Sequence, residues 1–179
     1  MATRKLHSVP VLLVGTKFVG SFEDRGKSYA FAFVPSSLEV SGASLQLKGR
    51  VSVAGPGGKE KNVDGVRATL AAAQGGIFGS PRRGSERLID GMPATEATAQ
   101  TGFAGVLYFR LSPLDGKAIG VPLDLSVVQM NARIFPTSAL ERELQVRYSD
   151  LVTAVKSEQV DVNAATEQAA AINKLLQGT

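Results

Sequence analysis

Residues 121–155 read VPLDLSVVQMNARIFPTSALERELQVRYSDLVTAV, and the spacing of their apolar residues changes partway along. Before Pro136 apolar residues recur at every second position, as in a strand with one buried face. After it they recur at every third or fourth, as along a helix. Val121, Leu123, Leu125 and Val127 alternate with Asp124 and Ser126, and the parity then moves to Val128, Met130, Ala132 and Ile134. A β-bulge near Val127-Val128, or a passage from one sheet to another, reconciles the two halves with one inward face. Beyond Pro136, Ser138-x-x-Glu141 forms a capping box, which satisfies backbone N–H groups at a helix start. Leu140, Leu144, Tyr148, Leu151 and Val155 follow at helical spacing and predict a helix to about Lys156. A second helix is expected from an N-cap at Asn163, with Ala165, Ala169, Ile172 and Leu176 as its stripe and Gly178 as its stop.

Working back from Pro136, the body reads as short strands. Residues 44–53 carry the clearest alternation. Leu45, Leu47, Val51 and Val53 fall on one face and Ser44, Gln46, Lys48, Arg50 and Ser52 on the other. Gly49 interrupts the apolar row and predicts a bend or a close backbone contact. Residues 11–22 place Leu12, Val14, Thr16, Phe18, Gly20 and Phe22 on one face, and Glu23-Asp24-Arg25-Gly26 follows as a polar turn. Residues 27–34 are apolar on both faces, Tyr29, Phe31 and Phe33 against Ala30, Ala32 and Val34, the pattern of a central strand. Phe103, Leu107, Phe109 and Leu111 mark a strand over 102–111, paired with 121–134 through a hairpin at Asp115-Gly116. Asp64-Gly65 and Asp90-Gly91 are further hairpin-turn signals. The fold expected is mainly β: an antiparallel β-sandwich, or a partly open barrel, of about seven strands over residues 1–135. A helical hairpin over 137–179 completes it.

With 179 residues the chain is long enough to bury a core without staples. It has no cysteine, which excludes disulfides, thiolate nucleophiles and cysteine-based zinc sites. The start, Arg4-Lys5 before a short apolar run, lacks the length and cleavage site of a signal peptide, and no window reaches the length of a membrane span. A soluble, cytoplasmic protein is expected. Net charge is +4, with 13 basic and 7 acidic residues in 1–90 and 7 basic and 9 acidic in 91–179.

No catalytic constellation emerges. His7 is the only histidine and has no carboxylate close in sequence, and Glu23-Asp24 lacks the alternating oxygens of a calcium loop. No cofactor motif, neither G-x-x-x-x-G-K-[ST] nor G-x-G-x-x-G opening a helix, is present. The chain reads as a non-enzymatic structural or protein-interaction module, a subunit of a homo- or hetero-oligomeric assembly. In that reading Leu140, Leu144, Tyr148, Leu151, Val155, Ala169, Ile172 and Leu176 are the candidate partner contacts. The competing placement packs the same stripe on the chain's own sheet. The alternative function is binding of an anionic ligand or nucleic acid through Lys59 and Lys61 and, in a Gly/Arg-rich loop over 75–100, Arg82, Arg83 and Arg87. A hydrolase built on paired carboxylates ranks third.

Overall fold

The computed structural model describes residues 7–74, 88–89, 92–93, 106–114, 125, 127–134, 136–156 and 158–178. In chain order the elements are β1 (His7–Val14), β2 (Lys17–Asp24), β3 (Lys27–Ser41), β4 (Ser44–Ala54), β5 (Glu60–Gln74), β6 (Leu88–Ile89), β7 (Met92–Pro93), β8 (Val106–Leu111) and β9 (Val128–Arg133). Two helices follow, α1 (Ala139–Lys156) and α2 (Val162–Gln177). Seven strands form one closed barrel in the order β1-β2-β3-β4-β5-β8-β9, and β6 and β7 pair separately. Every consecutive pair in the barrel is antiparallel. A run of seven strands that reverses at each step leaves its first and last members pointing the same way, so closure has to be parallel. β9 meets β1 in that sense, from His7 opposite Val128 to Leu12 opposite Arg133.

The expected sandwich is therefore corrected to a closed barrel. Alternation reports which face of a strand is buried, and both architectures bury one face. What separates them is curvature. Register shifts at Pro35/Ser37, Gly49/Val51 and Leu70/Ala72 put extra residues into β3 and β5 and curve the sheet, as bulges do. Gly49 sits between the first two. A Cβ there would run into the Val34 carbonyl and lie 2.9 Å from Pro35 Cα. The predicted close contact at Gly49 is thus the point where neighbouring strands are pressed together.

Two local readings also change. Residues 11–22 are not one strand but two, joined by a hairpin at Gly15-Thr16 with Gly15 at φ 62°. The reversal turns Val9, Val11 and Leu13 inward and leaves Leu12 and Val14 outside. Asp64-Gly65 makes no hairpin. It lies within β5, where Gly65, at φ 70°, occupies the bulge opposite Gly49/Val51. Asp90-Gly91 and Asp115-Gly116 lie outside the described residues. The parity change after Leu125 is present: Leu125, Val128, Met130, Ala132 and Ile134 are all buried, and the chain bends at Val127.

Phe18, Phe33, Leu45, Leu47, Leu107, Phe109 and Met130 fill the barrel from successive strands. The helices cover one mouth. Tyr148 of α1 packs its ring 6.2 Å from that of Phe18, which in turn lies 6.2 Å from Phe109. Tyr148 is buried with no hydrogen-bond partner for its hydroxyl among the described residues, and burial pushes its pKa up. Asn173 of α2 accepts from the Leu38 N–H at 2.7 Å and donates to the Leu38 carbonyl at 3.0 Å. It occupies the place of a neighbouring strand where β3 outruns β2. At the other end Leu114 and Leu125 bridge and close on Val9, Phe22, Phe31, Val53 and Val128, with no room for a water molecule between them.

The capping box forms with a variation. The Glu141 N–H donates to Ser138 Oγ at 3.2 Å. The Glu141 carboxylate reaches further back and sideways, accepting from the Thr137 N–H at 2.7 Å, the Thr137 hydroxyl at 2.9 Å and the Gly15 N–H at 2.9 Å. One side chain therefore caps the helix and fastens it to the β1–β2 turn. Burial pushes this carboxyl up, and the donors from Gly15, Thr137 and Ser138 outweigh burial and hold its pKa below the ordinary glutamate value. The cap of α2 is Asp161, not Asn163: its side chain accepts from the Ala164 N–H at 3.0 Å. No helix among the described residues is long and apolar enough to cross a membrane.

Candidate interaction surface

A barrel has two faces, and alternation along each strand assigns side chains to them. The outward residues of β1 are Ser8, Pro10, Leu12 and Val14; those of β2 are Lys17, Val19, Ser21 and Glu23; those of β3 as far as Val34 are Ser28, Ala30, Ala32 and Val34. Register places Leu12 beside Val19 and Val19 beside Ala32, with Ser21 beside Ala30. Leu12 is 45% exposed, Val14 56% and Val19 41%. The outer wall of these three strands is consequently apolar across its middle. Exposed apolar residues scattered singly are normal, whereas neighbours in register form a continuous patch. The two-sided apolar pattern of residues 29–34 has this wall as its cause: Tyr29, Phe31 and Phe33 are core, and Ala30, Ala32 and Val34 face outward.

The wall continues into β4 and β5 and changes character there. Gln46 donates to Thr69 Oγ1 at 3.0 Å, Lys48 to Glu39 at 2.6 Å, Arg50 to Asp64 at 2.6 Å and the Ser52 hydroxyl to Asn62 Oδ1 at 2.5 Å. The two bulges beside Gly49 open a groove of about 640 Å³ here, lined among others by Lys17, Arg50, Ser52, Glu60, Asn62 and Asp64. The hydrogen bond from Lys48 and its charge hold the Glu39 carboxyl below its ordinary pKa, and Asp64 raises that of Arg50. The groove holds two carboxylates, Glu60 and Asp64, but both are exposed, and Asp64 is already engaged by Arg50. An exposed pair lacks the dry surroundings that tune an acid–base couple.

The residues singled out from sequence fall in three places. Leu144, Tyr148, Leu151, Val155, Ala169, Ile172 and Leu176 are buried in the same apolar cluster as the barrel interior, and Leu140 is half-buried against it. The stripe thus packs on the chain's own barrel, and its surface is spent there. Lys59 is exposed in the β4–β5 connection and Lys61 at the start of β5, opposite Val53. Arg82, Arg83 and Arg87 lie outside the described residues. The wall formed by Leu12, Val14 and Val19 was missed. Its signal was the second apolar face of residues 30–34, read as the mark of a central strand. Comparison of the chain with protein-family models, curated proteins and solved structures returns no match.

Proposed function

We propose that the chain is a non-enzymatic protein-interaction module, a subunit of an assembly, and that it meets its partner through the outer wall of β1–β3. The observation that supports this is the register-aligned exposure of Leu12 and Val19, flanked by Val14 and Ala32, on a barrel whose interior is occupied by its own side chains. Closure matters to the mode of contact. A closed sheet offers no free edge for strand addition between β9 and β1, so recognition uses side chains projecting from the wall. Covering the wall removes apolar area from water at about 25 cal/mol per Å², the usual driving term for association.

The test is carbene labelling of the full chain in an extract of its source cells, read residue by residue by mass spectrometry. Labelling of Leu12, Val14 and Val19 well below that of the purified chain at high dilution is the expected result. Equal labelling in the two samples contradicts the proposal.

A further inference from the structure

We infer that the occupant of this wall is a second copy of the same chain, related by a two-fold axis that crosses β2 at Gly20. The inference rests on the interaction-module reading and adds the partner to it.

Its basis is the order of charges. Of the twelve outward residues of β1, β2 and the part of β3 up to Val34, only Lys17 and Glu23 are charged, and they stand at opposite ends of the β2 row Lys17-x-Val19-x-Ser21-x-Glu23; Glu39, further along β3, is held by Lys48. Six residues of strand separate them by about 20 Å, far too much for a contact within one chain. Neither has an ion-pair partner among the described residues. Both are exposed.

The row is its own complement. An axis lying between two such walls, perpendicular to β2 and level with Gly20, sends residue 17 to 23 and residue 19 to 21. Lys17 of one copy then faces Glu23 of the other, twice, and Val19 lies over Ser21. Along β1 and β3 the same operation sets Leu12 over Pro10 and Ala32 over Ala30 at the centre, with Val14 over Ser8 and Val34 over Ser28 towards the ends. Such an interface is isologous: each residue's contact is repeated in reverse by symmetry. Arg50, the nearest charge on β4, is held by Asp64 and does not compete for Glu23. The wall is convex because it belongs to a barrel, so the contact is centred on β2 and small. A weak, micromolar dimer is the outcome such a small contact supports.

Sedimentation velocity on the full chain, from about 1 to about 500 μM, reads the dimer directly over the range expected for a small interface. Lys17→Glu and Glu23→Lys should each weaken it about tenfold, because each puts two like-charged pairs in place of two attractive ones. The doubly changed chain, K17E with E23K, restores the pairs with their signs exchanged and should recover association, since symmetry places both changes at both ends. Raising salt should weaken the wild type and the double variant alike. A wild-type chain that stays monomeric throughout overturns the inference, as does a double variant no tighter than the singles. If the chain is monomeric yet its wall is shielded in the extract, the interaction reading survives with a different partner. If the wall is also unshielded, both fall.

Discussion

The outer walls of β1–β3 and of β4–β5 belong to one barrel and are built by the same alternation, yet they treat their outward side chains in opposite ways. On β4 the outward side chains from Gln46 to Ser52 each have a hydrogen-bond or ion-pair partner on a neighbouring strand. That wall is complete within the chain. On β1–β3 the outward centre is Leu12, Val19 and Ala32, which no part of the described chain covers. The contrast teaches that polar surface is not the same thing as unsatisfied surface. A groove of paired charges has satisfied its own demands, while the exposed apolar row is left uncovered by the described chain. Exposed ion pairs such as Arg50–Asp64 contribute little stability even so, since both ends remain in water.

The comparison breaks if the apolar wall is merely the outside of a loosely packed region. Phe18→Ala tests this. Its ring meets Phe109 and Tyr148 in the core directly beneath that wall, and a well-packed site should lose about 3–5 kcal/mol in urea unfolding. A loss below about 1 kcal/mol would mean the core beneath is slack. Gly49→Ala tests the other wall. With the Val34 carbonyl in the way, the added methyl should cost about 1–3 kcal/mol and disturb the bend that opens the groove. A neutral result would mean that the two strands are not pressed together there.

Glu141 ties α1 to the β1–β2 turn, at the edge of the apolar wall. Its folded pKa lies below its unfolded one, so its contribution is fully present above the ordinary glutamate value. It is lost as pH falls through the lower folded value. Glu141→Gln should cost about 1–2 kcal/mol at neutral pH. The Tm gap between wild type and E141Q should shrink as the pH falls through that window. A gap independent of pH would separate the carboxylate's charge from its role.

Much of the architecture was legible before folding. The alternation of residues 44–53 named the buried and wet faces of β4, and Gly49 marked the bend. The spacing of Leu144, Tyr148, Leu151 and Val155, and that of Ala165, Ala169, Ile172 and Leu176, named the buried faces of both helices. Helical period is strongly informative over four or five turns. Less legible were features that depend on one residue's φ or on distant partners. A single glycine, Gly15, divides what reads as one alternating run, and its hairpin exchanges the faces of β1. Asp64-Gly65 suits a hairpin and a bulge equally, because both need positive φ. The apolar wall was present in the pattern of residues 29–34, but a pattern shows that a face is apolar and not what lies against it.

The most direct test places the same new charge on each wall. Val19→Asp and Asn62→Asp, on the full chain, are compared with wild type by sedimentation velocity at one concentration series. Both positions are exposed, so both variants should unfold within about 0.5 kcal/mol of wild type. Val19→Asp should weaken association by about tenfold or more, equivalent to at least about 1.4 kcal/mol, while Asn62→Asp leaves it nearly unchanged. Equal effects from the two changes, or a larger one from Asn62→Asp, would contradict the assignment of the interface to β1–β3.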